Sequence, residues 1–331
     1  MWLVTGATGH IGNVLVRELL RQGERVRALV LPGESRLPLK GVEVEQAEGD
    51  VLELDSLWEP LRGIRGIFHL AGVISILPGE NALVRRVNVD GTRNLLEAAR
   101  RGGVGRFIYT SSIHALRRVE KGVIDESIPY DAGNPYGAYD RSKAQATLEV
   151  QQAAASGLEA VIACPTGVIG PYDFRGSMMG NVIRGAAERK PTLYVEGAYD
   201  FVDVRDVVQG LIGAARRGRR GESYILSGQR ITIPDLLAAV RRITGGRFLQ
   251  MKVPLGLARF AARFTPWWYR LAGASPRFTP YSLEVLQSNS HISHAKASRE
   301  LGYQPRDLHE SLTDAVHWFL QHSKTVLNQG A

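Results

Sequence analysis

The chain has 331 residues, 44% of them apolar and 22% charged, a balance that excludes a disordered protein and is enough for one two-lobed unit or two ordinary domains. No apolar run reaches about 18 residues, which argues against a membrane span, and a single cysteine, Cys164, excludes an internal disulfide and any cysteine-paired metal site, so no metal is expected. The net charge of +8 is dispersed; its one dense cluster, RRGRR at 216–220, has no interleaved aromatics and reads as a solvated turn, so no nucleic-acid partner is expected.

A first strand is expected at 2–5, directly after Met1, leaving no room for a signal or transit peptide and predicting a cytoplasmic protein. It runs into VTGATGHIG, 4–12, where Gly6, Gly9 and Gly12 stand three apart. Neither a strand nor a helix interior favours glycine, so the backbone here must turn tightly and approach a ligand. After Gly9 the apolar Ile11, Val14, Leu15 and Leu19 share one helical face, with Arg17, Glu18 and Arg21 opposite. A strand–glycine loop–helix order aims unpaired N–H groups and the positive helix end at one point, which suits a pyrophosphate. Gly6 then allows the turn, Gly9 the approach of the phosphates, and Gly12 close packing of helix on strand.

Further strands are expected at 25–31, 66–70, 106–110 and 159–163, with a weaker one at 42–47. Between them, 81–103 has a helical period closed by Gly102 and Gly103, and a second helix is expected from Pro135 to Ala155. Strands alternating with helices predict an α/β fold of the doubly wound, Rossmann type, a parallel sheet covered on both faces. A strand at 223–228 extends that sheet. The expected division is a dinucleotide-binding domain over 1–171 with 201–228 returning to it, and a smaller, interleaved C-terminal substrate lobe from 172–200 and 229–331. The apolar, aromatic stretch 253–273, broken by Pro254 and Pro266, suits a hydrophobic substrate pocket, a peripheral contact with a membrane surface, or plain packing on its neighbours.

Tyr139 and Lys143 lie four apart in the second of those helices and project from one face. The spacing suits a phenol acting as acid and base beside an ammonium, whose charge is expected to draw the phenol from about 10 toward working pH.

These pieces together resemble the extended short-chain dehydrogenase/reductases, also grouped as an NAD-dependent epimerase/dehydratase superfamily, whose TGxxGxxG fingerprint stands here as TGATGHIG. EGDV at 48–51, HLAG at 69–72, NVDGT at 88–92, YTSS at 109–112, YDRSK at 139–143, CPTGVIGP at 164–171, FVDVRDV at 201–207 and SRELGYQP at 298–305 follow in the family's order over essentially the whole chain. The resemblance implies an enzyme with Ser112, Tyr139 and Lys143 as catalytic residues. Ser112 binds the substrate oxygen at the end of the fifth strand, with Ser111 as the competing register. Gly6, Thr8, Gly9, His10, Ile11 and Gly12 hold the cofactor's phosphates, Asp50 and Val51 its adenine, and Leu70, Ala71 and Gly72 the middle of the molecule. Asn88 holds that strand end, or a water near the site. Tyr139, Lys143, Pro165, Thr166 and Val168 meet the nicotinamide half. His114 and Tyr136 are candidate substrate contacts, His114 reading equally as a satisfied loop histidine, and Cys164 is a small buried apolar residue.

NAD-preferring members carry a carboxylate at the end of the second strand, where this chain has Val30 and Leu31. Arg36 in the following loop either reaches a 2′-phosphate or is an ordinary surface arginine. NADP(H) is therefore favoured over NAD(H). The motifs are most similar to dihydroflavonol-reductase-like and 3β-hydroxysteroid-dehydrogenase-like members, which implies a small-molecule carbonyl or alcohol substrate of apolar character. Nucleotide-sugar epimerases and dehydratases are the alternative, but dehydratases usually place an Asp-Glu pair between the serine motif and the tyrosine; here Asp125 and Glu126 lie in a later loop. A sensor that binds the dinucleotide without turning it over is the third possibility. The two long helices of the first lobe often form a dimer interface in this family, and a homodimer is expected.

Overall fold

The computed structural model describes residues 1–76, 79–246, 249–262, 279–322 and 326. Seven strands form one wholly parallel sheet: Trp2–Thr5 (β1), Val26–Val30 (β2), Glu45–Glu48 (β3), Gly66–His69 (β4), Arg106–Thr110 (β5), Ala160–Pro165 (β6) and, after three strands that lie elsewhere, Ser223–Leu226 (β10). Their order is β10-β6-β5-β4-β1-β2-β3. The chain winds outward from β1 to β3 and then returns to β4 on the other side. This is the doubly wound arrangement expected from the sequence, and its crevice opens between β1 and β4, beyond the carboxyl ends of the strands.

Alternation within the strands divides the core into two layers. Val4 and Phe68 point to one face, covered by Val14, Leu15 and Leu19 of helix His10–Arg21 (α1) and Val207, Val208 and Leu211 of helix Val204–Arg217 (α6). Leu3, Ile67 and Phe107 point to the other, covered by Leu95 and Ala99 of helix Gly91–Arg101 (α3) and Ala146 and Val150 of helix Ala138–Ala155 (α4). Phe68 and Phe107 are fully buried, each contributing about 1.5–3 kcal/mol of apolar burial.

Three differences from the sequence reading bear on the site. Val42 and Val44 pack on the core, but pairing begins only where Glu45 meets Arg27 of β2, so β3 starts three residues late. Helix 81–103 is interrupted: a short helix Ala82–Arg85 (α2) passes through a π turn, Arg86–Asp90, before α3 begins. The second long helix starts at Ala138, because Asn134 Oδ1 caps the Tyr136 N–H in a turn and Gly137 is extended.

A smaller body is built from Gly167–Ile169 (β7), Ala198–Asp203 (β9) and Gln229–Thr232 (β11), which form a three-stranded sheet, and from Thr192–Tyr194 (β8) paired with Gln250–Lys252 (β12). Helices Met178–Ala187 (α5), Ile233–Thr244 (α7) and Leu308–His322 pack on it around Leu236, Leu312, Trp318 and Phe319. Helix Leu255–Ala262 (α8) buries Ala258 and Ala262 near Leu283, while Leu257 and Phe260 are exposed. The stretch 253–273 can be followed only to Ala262, and 263–273 lies outside the described residues. Among the described residues no helix is long and apolar enough to cross a membrane. Much of the arginine cluster at 216–220 is engaged locally: Arg216 donates to Gln22, Arg219 pairs with Glu300 and Arg220 with Glu159.

Candidate active site

The site lies at the crevice between β1 and β4. Gly6 takes φ of +65°, a conformation costly for any residue with a side chain, and a Cβ there would stand 2.7 Å from the Ala71 nitrogen. A Cβ on Gly12 would lie 2.0 Å from the Gly6 carbonyl oxygen. Helix α1 begins at His10 with Gly9 as its N-cap and no side chain capping its first turn. Those N–H groups therefore face the crevice without a protein acceptor from a cap, a cradle that fits a pyrophosphate. Thr8 is buried in the loop, Ile11 is half-buried, and His10 Nε2 bonds the Pro171 carbonyl at 2.9 Å.

The floor is held by a network that the sequence reading did not find. Thr5 Oγ1 accepts from the Leu70 and Ala71 N–H groups at 3.2 and 3.1 Å and bonds His69 Nδ1 at 2.8 Å. His69 Nε2 reaches Thr92 Oγ1 at 2.9 Å. Fully buried and 0% exposed, the imidazole is held neutral, its pKa pushed down to about 3 by desolvation, with the Lys143 charge adding to the effect. Asn88, turned by the π segment, accepts from Val73 N at 2.7 Å and donates to Val73 O and Ser142 Oγ, both at 2.9 Å. It thus holds the strand end against α4, one of its two expected roles. Just beyond β3, Asp50 Oδ1 accepts from Leu52 N, and Val51 packs on the bare Gly91. Arg36 is paired with Glu48, at the end of β3.

Tyr139, Ser142, Lys143 and Thr147 occupy the sheet-facing side of α4. Ser111 bonds Thr147 Oγ1 at 2.6 Å and so faces the packed side. Ser112 lies two residues beyond β5 and caps a short 3₁₀ turn, Ile113–Ala115, its hydroxyl accepting from the His114 N–H at 3.2 Å, and its proximity favours the ionised form of the Tyr139 phenol. Lys143 Nζ donates to the Thr110 carbonyl at 2.7 Å and stands 5.0 Å from the Tyr109 ring centre, in space left open by Gly72. Burial pushes Tyr139 up to about 12, opposed by the nearby Ser112 hydroxyl, and pushes Lys143 down to about 8. The anticipated pull of the ammonium on the phenol is therefore not the dominant influence: Lys143 is aimed at Thr110 and both groups pay desolvation.

Beyond Tyr139 the cleft is walled by aromatic rings. The His114 ring stacks on Tyr199, interplanar angle 10°, and its Nε2 bonds the Tyr199 hydroxyl at 2.7 Å. It also meets Tyr139 edge-on at 6.4 Å between centroids and Tyr281 at 6.1 Å. Burial lowers the His114 pKa, so the ring is neutral. Underneath sits Asp140, 1% exposed, which accepts from Tyr281 Oη at 2.5 Å and Arg118 at 3.2 Å. Arg118 in turn lies 3.6 Å over the Tyr136 ring, so Tyr136 is part of this assembly. Asp140, Arg118, Tyr199 and Tyr281 were missed in the sequence because they come from four separate segments; only the carboxylate directly after the tyrosine in YDRSK was a visible signal. Pro165 ends β6, Thr166 Oγ1 donates to Asp200 at 2.6 Å, Val168 lies in β7, and Cys164 is buried at 1% exposure.

Residues 2–227 match the model of the NAD dependent epimerase/dehydratase family. Among curated proteins, the chain is 36% identical to "Sterol demethylase protein B" of Methylococcus capsulatus, covering 96% of this chain and 97% of that one. It is 34% identical to a "Putative dihydroflavonol 4-reductase" of Synechocystis, covering 97% and 95%. The crystal structure of gox2253 superposes with a TM-score of 0.85 at 35% identity, over 98% of this chain and 99% of that one.

Proposed function

The chain belongs to the NAD dependent epimerase/dehydratase family, as an enzyme of the extended short-chain dehydrogenase/reductase type, and on that premise we propose that Ser112, Tyr139 and Lys143 carry out its reaction: exchange of a hydride between a nicotinamide cofactor and a ketone or aldehyde, or the matching secondary alcohol. The observation that carries the reading is the Tyr139 phenol beside the Ser112 hydroxyl, with Lys143 one helical turn away, bonded to the Thr110 carbonyl and standing next to Gly72. A nicotinamide held there would supply or accept the hydride. Ser112 holds the substrate oxygen. Tyr139, protonated across the physiological range, donates its proton to that oxygen as the carbonyl becomes an alcohol. Lys143 keeps a positive charge beside the phenol and a hydrogen bond to Thr110.

The cluster of the His114, Tyr199 and Tyr281 rings supports a substrate of apolar or aromatic character, in line with the names of the two relatives. Asp125 and Glu126 do not support a sugar dehydratase: Asp125 caps Ser127, and Glu126 accepts from Ile225 N on β10. In this proposal residues 1–171 with 201–228 serve the dinucleotide and 172–200 with 229–331 the substrate, and NADP(H) is the preferred cofactor. A cytoplasmic homodimer, and a membrane-surface contact through the exposed Leu257 and Phe260 of α8, belong to the same proposal.

Tyr139→Phe removes the proton and little volume. Reduced-cofactor absorbance with a panel of aromatic ketones, aldehydes and nucleotide sugars is expected to show turnover by the wild type on the ketones and a loss on the order of 10²–10⁴-fold in the variant, with cofactor affinity retained. Turnover of the nucleotide sugars alone, or an undiminished rate in the variant, refutes the assignment.

A further inference from the structure

The loop after β7 is laid over the glycine cradle. Gly170 and Tyr172 both take positive φ, +135° and +67°, and Tyr172 is one of only two non-glycine residues among those described to do so. The loop is tied to α1 by three contacts: His10 to the Pro171 carbonyl, Asn13 Nδ2 to the Tyr172 carbonyl at 3.2 Å, and the Arg17 guanidinium over the Tyr172 ring at 5.1 Å. This backbone path delivers Arg175 to the loop. Its Nε donates to Thr8 O at 3.2 Å, its Nη2 to Thr8 Oγ1 at 2.7 Å, and it pairs with Glu34. Glu34 comes from the turn after β2 and folds back so that its Oε2 accepts from Leu31 N at 3.4 Å.

The guanidinium therefore stands between the glycine loop and the carboxyl end of β2, where the adenosine ribose of a dinucleotide lies in this topology. Position 31, where an arginine would serve a 2′-phosphate, holds Leu31, and Arg36 is already paired with Glu48. We infer that Arg175, reaching in from the second body of the protein, is the cation that recognises a phosphate on the adenosine ribose, and that Glu34 holds it in place until that phosphate displaces the carboxylate. A phosphate of charge near −2 offers a guanidinium two parallel hydrogen bonds and competes with a single carboxylate; a ribose hydroxyl does not. The pair is half-buried rather than sealed, with Arg175 35% and Glu34 22% exposed, so the exchange needs only side-chain rotation. Glu34 has a second effect, since its charge opposes the incoming phosphate.

This inference rests on the dinucleotide reading, and the test separates the two. Affinities of the full chain for NADPH, NADH and 2′,5′-ADP are measured by calorimetry for the wild type, Arg175→Met, Arg175→Lys and Glu34→Gln, with melting curves for each. Arg175→Met is expected to lose NADPH and 2′,5′-ADP affinity on the order of 10- to 100-fold, consistent with one charged hydrogen-bonded pair, while NADH changes less than about 3-fold. Arg175→Lys falls between, and Glu34→Gln tightens NADPH without changing NADH. An equal loss of both cofactors in Arg175→Met makes the residue a pyrophosphate or structural contact and overturns the inference. Selective loss of NADH in Glu34→Gln does so as well, since Glu34 is then the ribose ligand. A wild type that binds neither cofactor sinks the dinucleotide reading itself.

Discussion

Replacing Gly12 by alanine tests whether α1 is docked as closely as the cradle requires. The new Cβ would meet the Gly6 carbonyl oxygen at 2.0 Å, the Gly6 carbonyl carbon at 2.8 Å and Ala7 Cα at 2.9 Å. All three are backbone atoms, so no side chain can rotate away. Restoring ordinary contact requires the first turn of α1 and the loop to part by about 1.4 Å. Overpacking of this kind costs about 1–3 kcal/mol of stability. Moving the leading N–H groups by that distance also stretches hydrogen bonds to a charged phosphate, each worth about 1.5–3 kcal/mol, so cofactor affinity should fall roughly 10- to 100-fold or more. Gly185→Ala is the control: it lies in α5 with nothing within 4 Å of the added carbon and should stabilise by about 0.5–1 kcal/mol through helix propensity alone. Urea unfolding and calorimetric titration with NADPH read both quantities. A Gly12→Ala protein with wild-type stability and wild-type affinity would refute the argument.

His69 and Asp140 give two further tests. With its pKa lowered from 6.5 to about 3, His69 binds fewer protons folded than unfolded at acid pH, so stability is intact above pH 6.5 and is lost as pH falls toward 3, by up to about 4–5 kcal/mol. Chemical denaturation at stepped pH should therefore steepen in that window, and His69→Gln should flatten it; an unchanged acid limb in the variant would remove His69 as the cause. Asp140→Ala strips the buried acceptor from Arg118 and Tyr281 and should cost about 3–5 kcal/mol, whereas the Asp140→Ala/Arg118→Met double variant should cost less than the two single losses combined. Strict additivity in that cycle would show the pair to be uncoupled.

The sheet was legible because its strands announce themselves twice, by alternation and by the breakers around them, and because the glycine spacing marks where β1 turns into α1. The Tyr139–Lys143 face followed from helical spacing, and the preference for Ser112 over Ser111 from motif alignment; the Thr147 hydroxyl opposite Ser111 accords with it. What stayed hidden depends on long-range approach. Nothing local in the sequence brings Arg118, Tyr199 and Tyr281 to Asp140, and Arg175 is 167 residues from the threonine it contacts. The phenol's environment was misjudged for a related reason: spacing along a helix tells which residues share a face, but not how much water each of them loses.

The π turn at Arg86–Asp90 carries one more consequence. Each helical residue advances the chain by about 100°, so one extra residue in a turn rotates everything downstream relative to everything upstream. Here that offset lets Val84 stay in the packed interior while Asn88 clamps Val73 to Ser142 and Thr92 meets His69. Segment length in this region is therefore itself a structural specification: shortening it by one position would leave a smoother helix whose asparagine and threonine no longer address the cleft.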